Sequence, residues 1–435
     1  MEPPVIGVLM LAAMFGLIAL HVPIGIAMAA TGFAGIGILI GWHPAIALFS
    51  IEPAQALASE ELAVIAMFLL MGNFAAAAGL SGDLYKLAQA FVGHRRGGLA
   101  VATVAGCAGF GAVCGSSVAT VGTMARIALP EMQRRGYAAT LATGSIASGA
   151  TLGIIVPPSV IMVLYAILTE QFVTALFVAA IVPAIVATLG YVAAVLIYVR
   201  LKPAAGPAGA RADWAARRRA LAASWGVVVL AGIVSGGIYT GIFTVNEAAA
   251  VGAAAAVAFA WFRGKLTRAS FFENLKETAA STALIYVIII GANVFSYFIT
   301  LSHLPDVLTG AIVASNLPPN MILFLLLVMY IALGSIFDTV AAMVITLPFV
   351  FPLITSLGYD PIWWGIVNVI VVELGMITPP FGINVFVMQG MAKGVSLGTV
   401  YRGVMPFVIA DVARLLLLAY VPLLTLWLPK AVGVM

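Results

Sequence analysis

The sequence predicts an all-α polytopic membrane protein made of two inverted repeats, each with a re-entrant helical hairpin and a discontinuous helix. Three observations lead there. Of the 435 residues, 63% are hydrophobic and 8% charged, whereas soluble domains carry about 25% charged residues. Such a chain cannot cover its apolar surface in water and takes the bilayer as its solvent. Second, residues 112–163 and 334–385 align without a gap at a shift of 222, and the recurring residues include Pro130, Gly136, Gly153, Pro157 and Pro158. Chance matches in so apolar a chain would fall on Leu, Ala and Val, so matched helix breakers mean that backbone interruptions have been copied, as in secondary transporters. Third, the apolar segments 99–129 and 320–351 are each too long for one helix yet flanked by loops that belong on one side. They read as hairpins with tips near Gly115, Ser116 and Ser117 and near Phe337, Asp338 and Thr339. Irregular backbone at that depth is tolerated only where protein or a water-filled cavity surrounds it.

Taken in order, the first span covers 5–20; its Met-Glu-Pro-Pro start has no positive n-region and no cleavage site follows Leu20, so it is expected to be retained. Spans follow at 24–41 and 62–80, then an amphipathic stretch near 83–93 and the first hairpin. Spans at 138–168 and 172–199 complete a first repeat, 1–199. The basic segment 200–220, broken by Pro203, Gly206, Pro207 and Gly209, is the one clear linker. The second repeat, 221–435, holds spans at 221–241, 247–262 and 280–300, the second hairpin, and spans at 361–390 and 403–428.

Charge sets the orientation. With the N terminus outside, nearly all of the 20 Lys and Arg fall on the cytoplasmic side; only Lys430 falls outside, and Arg126 and Arg414 lie within apolar segments. Glu52, Glu60, Glu61, Glu170, Asp306 and Asp360 populate the other face, as the positive-inside rule requires. The first hairpin then enters from the cytoplasm and the second from outside, so inversion follows from the charges. The basic linker reads as a loop that anchors orientation, with anionic lipid or partner contact as the lesser reading. A net charge of +4 on a membrane-placed chain is no signal for nucleic acid. Cys107 and Cys114, seven apart on one hairpin arm, are about 10.5 Å apart along a helix, too far for a disulfide.

The chemistry sits at the interruptions. A helix broken at membrane depth exposes N–H groups at one end and C=O groups at the other, and so holds ions without buried charge. The first tip, from Gly115 to Thr120, faces a break from Gly153 to Ser159, where tandem prolines remove two donors and free carbonyls one turn back. The second copy offers Asp338 and Thr339 against Gly375 to Pro380. Tip facing break, twice, is a two-site design. Sodium, a hard cation that takes carbonyl and hydroxyl oxygens, suits it. A proton relay has little to use, since Asp338 is the one carboxylate within the interruptions, with Glu373 nearby. An intramembrane hydrolase using Ser116 or Ser117 lacks a base, because His21, His43, His94 and His303 lie elsewhere. No catalytic residues are therefore expected, and a purely structural subunit would leave the duplicated breaks unexplained.

Several segments then carry a family resemblance: His21 to Gly25, Phe68 to Asn73, Val92 to Gly98, Gly115 to Thr120, Pro130 to Tyr137, Gly153 to Ser159, Phe243 to Val251, Phe337 to Thr339 and Thr378 to Phe386. In order, over about residues 5–430, the chain resembles the large membrane (DctM-like) subunit of the tripartite ATP-independent periplasmic (TRAP) transporters. The resemblance implies an ion-transporter-like fold of the elevator type, in a bacterial inner membrane, that imports an acidic metabolite with sodium. It implies two partners, a periplasmic solute-binding protein and a small four-helix membrane subunit, the latter expected as a separate chain. It also implies a first sodium site from Ser116 with carbonyls of Gly153, Val156 and Pro158, and a second from Gly334, Gly375 and Thr378; Asp338 at the second tip is a further candidate sodium residue. Ser117, Thr120, Ser159, Thr339 and Asn384 are the candidates to face the substrate. Arg126 reads as an interfacial side chain or a carboxylate partner, and Asp411 with Arg414 as an intrahelical pair. The alternative is a sodium/dicarboxylate symporter that works without accessory subunits.

Overall fold

The computed structural model describes residues 2–435 and is helical throughout the regular elements of that range. The sequence repeat extends to the architecture. The first hairpin consists of Gly98–Cys114 and Ser117–Arg134, the second of Pro319–Ile336 and Thr339–Ser356, so the bounds differ from a 222 shift by at most one residue. The same shift relates Ile24–Ile40 to Val245–Phe262, Leu80–Val92 to Leu304–Ala314, and Ala139–Gly149 to Pro361–Gly375. Both breaks carry the same backbone, with cis peptides at Pro157-Pro158 and Pro379-Pro380.

The elements sort into two packed groups. One holds Pro3–Ala19, Ile24–Ile40, Trp42–Ala58, Glu60–Ala77, Val245–Phe262 and Arg268–Leu301. The other holds both hairpins, both broken helices, Val173–Leu201 and Leu397–Tyr420. Contacts between the groups run through Glu60–Ala77, against the first hairpin and the Val160–Thr169 half of the first broken helix, and through Arg268–Leu301 against the second hairpin. Among the described residues seven helices are long and apolar enough to cross a membrane, or nine if each bent pair is one span. That measure counts both arms of the second hairpin, so length alone does not separate a crossing helix from a re-entrant one.

Local signals explain the element ends. Ser116, Ser159 and Asp338 are N-caps, their side chains accepting from Ala119 N, Met162 N and Ala341 N, which satisfies donors a helix start leaves free. Gly115 closes the first arm at φ +64°, a conformation glycine adopts without strain.

Several span expectations need correction. Trp42–Ala58 is a helix where no span was expected, because Glu52, Pro53 and Gln55 dilute its hydropathy. Leu304–Ala314 is a further helix outside the expected spans. The span expected at 280–300 is the end of a 34-residue helix, Arg268–Leu301; its polar opening turns are as helical as the rest, since a helix does not stop at the bilayer edge. The span expected at 403–428 divides into Leu397–Tyr420 and Leu423–Val432 around Pro422, which lacks the N–H a continuing helix needs. The spans at 138–168 and 361–390, by contrast, are broken where the sequence places the interruptions, the first bending by 43° between Ala139–Ile155 and Val160–Thr169. Within 200–220, Trp214–Ala223 is helical, bent by 42° from Trp225–Tyr239. The segment is also docked: Gly97 N donates to Gly206 O at 2.9 Å and Ala138 N to Ala205 O at 2.9 Å, tying it to the base of the first hairpin.

Candidate functional site

Both tips lie against both breaks. At the first, a methyl added to Gly111 would come 2.3 Å from Gly153 Cα, so hairpin arm and broken helix touch backbone to backbone. A methyl on Gly153 would lie 3.0 Å from Thr120 Oγ1 and 3.6 Å from Ser116 O, and one on Gly115 would lie 3.7 Å from Pro158 O. The structure therefore brings Ser116, Gly153 and Pro158 together, and Val156 is the residue at which the chain leaves the helix, at φ −76° and ψ 118°. The second copy repeats the crossing: a methyl on Gly375 would meet Gly334 C at 2.6 Å, and one on Gly382 would meet Met376 O and Thr378 O at 3.1 Å each. Gly382 N donates to Ser335 O at 2.9 Å, fastening break to hairpin.

Proline accounts for the missing helical bonds. The N–H groups that would bond Gly153 O and Gly375 O one turn on belong to Pro157 and Pro379, which have none; Gly375 O accepts from Thr378 N at 2.9 Å instead. Uncharged carbonyl oxygens near a hydroxyl are donors that fit sodium, and no carboxylate is needed at the first site. Asp338 serves the second tip as its N-cap, accepting from Ala341 N at 2.7 Å. The Thr378 hydroxyl donates to Leu374 O at 2.6 Å, so toward any ion it presents lone pairs.

Between the tips is a cavity of about 210 Å³ lined by Ser116, Ser117, Asp338, Thr339, Met376 and, from the other helix group, Ser281. Of the candidate substrate residues it gathers Ser117 and Thr339. Thr120, Ser159 and Asn384 do not line it: Thr120 donates to Ser116 O at 2.7 Å, Ser159 caps its helix, and Asn384 is buried with both side-chain polar atoms unpartnered. Sequence reading set Glu373 aside, and it is the main addition. This buried carboxylate accepts from Thr339 Oγ1 at 2.5 Å and from Ser117 Oγ at 3.4 Å. Its only signal in the sequence is an acid in an otherwise apolar helix.

Asp411 and Arg414 form the expected intrahelical pair, 2.8 Å apart and almost wholly buried. The pair extends further than spacing suggests. The Tyr191 hydroxyl donates to Asp411 and lies 2.9 Å from the Thr151 hydroxyl on the first broken helix. Arg126 is exposed into a cavity of about 690 Å³ beside the first hairpin, which Lys86 and Lys265 also line. The equivalent cavity beside the second hairpin, about 470 Å³, is lined by Glu52 and Glu170 instead.

Comparison with known proteins matches this architecture. Residues 11–424 match the family described as the DctM component of the tripartite ATP-independent periplasmic transporters. The C4-dicarboxylate TRAP transporter large permease protein DctM of Pseudomonas aeruginosa is 36% identical, over 89% of this chain and 92% of that protein. Its Vibrio cholerae counterpart is 35% identical over 95% of each. The isethionate TRAP transporter permease protein DctMQ of Oleidesulfovibrio alaskensis is 30% identical, with 64% of its length covered. The crystal structure of the Alcanivorax borkumensis YdaH transporter superposes over 99% of both chains with a TM-score of 0.64 at 15% identity, a likeness of fold. With a repeat of hairpins and proline breaks throughout its length and a family match from residue 11 to 424, the chain belongs to the DctM family, the large permease component of the TRAP transporters.

Proposed function

We propose that this permease imports an acidic organic solute, a carboxylate of the C4-dicarboxylate, sugar-acid or keto-acid kind, together with sodium in a bacterial inner membrane. A periplasmic binding protein delivers the solute, and a small four-helix membrane subunit enlarges the fixed part of the transporter. The observation that carries this reading is the tip cavity: Ser116 and Ser117 from one tip and Asp338 and Thr339 from the other meet at a small space whose opposite wall, at Ser281, Leu284 and Ile285, belongs to the other helix group. Such a boundary suits an elevator, in which the hairpin group slides along a fixed one. Sodium at Ser116, Gly153, Val156 and Pro158, and at Gly334, Gly375 and Thr378, would neutralise part of the charge of an acidic cargo; that is the chemistry the ion supplies. Among the described residues, Lys86, Arg126 and Lys265 outnumber Asp83 and Glu277 on one route, while Glu52 and Glu170 stand without a basic residue on the other; this fits an exit that favours anions and an entrance that gathers cations, with the periplasmic N terminus that the charges favour.

The test is uptake in vesicles holding all three proteins. Uptake is expected to need an inward sodium gradient, and Ser116→Ala to raise the sodium concentration required by several-fold. Equal uptake under a proton gradient alone would sink the coupling. For the elevator, single cysteines at Val118 and Val340, in protein lacking Cys107 and Cys114, are expected to change reactivity with an impermeant thiol reagent when sodium and loaded binding protein are added. Constant reactivity at both tips in a transporting sample would refute sliding.

A further inference from the structure

The two tip hydroxyls share one oxygen. Thr339 Oγ1 donates to Glu373 Oε1 at 2.5 Å, and Ser117 Oγ, from the other repeat, reaches the same atom at 3.4 Å. Hydroxyl bonds ordinarily span about 2.5–3.0 Å, so Glu373 is seated firmly on the second tip and loosely on the first. Met376 Sδ lies behind both hydroxyls, 3.0 Å from Thr339 and 3.8 Å from Ser117. Glu373 itself is fully buried and its Oε2 has no partner among the described residues. Its neighbours along the helix, from Val369 to Leu374, are apolar. A buried carboxylate without a cation beside it is costly in a membrane protein, and a leucine or methionine would fill the same volume more cheaply.

We infer that Glu373 is a positioning residue for transport: it holds the two hairpin tips to one another across the repeats and turns their hydroxyl oxygens, stripped of free hydrogens, toward the cavity between them. A hydroxyl has one hydrogen and two lone pairs. With the hydrogens of Thr339 and Ser117 given to Glu373, the pair enters the cavity as acceptors. Acceptors meet a cation or the O–H and N–H groups of a ligand, and repel a carboxylate. The acidic end of a cargo is therefore recognised elsewhere in the cavity, and the tips read its donor groups or an ion. The transport role rests on the proposed function; the link between the tips does not.

The link is tested on purified permease in nanodiscs, with Cys107 and Cys114 replaced and spin labels at Val118 and Val340, by measuring the distance between labels. The parent is expected to show one narrow distribution. Glu373→Ala and the volume-matched Glu373→Met should both broaden or lengthen it, whereas Glu373→Gln, which keeps an acceptor oxygen, should restore the narrow form. Thr339→Val should broaden it more than Ser117→Ala, following the shorter bond. An unchanged narrow distribution in whichever of the Ala and Met variants folds, or a broad one in Gln, overturns the inference. Loss of sodium-driven uptake in the parent, with the distance pattern as expected, would instead refute the proposed function and leave the link standing.

Discussion

Replacing Arg414 by leucine is expected to cost about 3–5 kcal/mol of stability, the range for leaving one member of a buried pair without the other. The reason is geometric. Asp411 and Arg414 are 1% and 4% exposed, and the carboxylate's other partner, the Tyr191 hydroxyl, carries no charge to offset it. The effect should spread along the chain of contacts from Leu397–Tyr420 through Tyr191 to Thr151, loosening the first break from the helices that brace it. Thermal unfolding of the purified protein measures this, with Asp411→Leu/Arg414→Leu as the partner experiment. Removing both charges should recover most of the loss, because apolar groups of similar volume often replace a buried pair at little cost. An Arg414→Leu protein as stable as the parent would show that the pair is not a structural unit.

The second large effect is expected at Gly375. Even a Cβ there would sit 2.6 Å from Gly334 C and 2.7 Å from Ile331 O, and these are backbone atoms that cannot swing aside. Gly375→Val should push the second hairpin off its broken helix, at a cost of about 1–3 kcal/mol for overpacking. Because the displaced carbonyls are those of the second candidate sodium site, uptake should fall about tenfold or more at limiting sodium. Gly310 is the control: nothing lies within 4 Å of a Cβ built there, so Gly310→Ala, inside the helix Leu304–Ala314, should be neutral or up to about 1 kcal/mol stabilising. Sodium-dependent uptake per folded transporter separates the two, and equal uptake in both variants would count against the close crossing as a requirement for transport.

Much of this protein is legible in one dimension because its defining features are local. A proline lacks its N–H wherever it stands, so Pro157, Pro158, Pro379 and Pro380 announce two breaks, and Gly115 with Ser116 announces a tip that needs both a left-handed residue and a helix cap. The hairpin bounds and the facing of tip and break follow from these signals and from their recurrence at a shift of 222. Hydropathy is a weaker guide. It passed over Trp42–Ala58, whose polar residues lower the average without interrupting the helix, and it stopped short on Arg268–Leu301, whose opening turns are charged.

Contacts between distant residues had no such signal. Ser117 and Glu373 are 256 positions apart, and Thr151 meets Tyr191 while Tyr191 meets Asp411 220 positions on. Which acid meets which hydroxyl depends on how four helices stack, and helix packing is set by side-chain volumes integrated over whole faces rather than by any short pattern. Backbone chemistry along the chain thus determined where helices break and which breaks are copies. Tertiary packing alone decided that both tip hydroxyls turn to one carboxylate, because a buried polar group takes whatever partner the packed helices bring within reach.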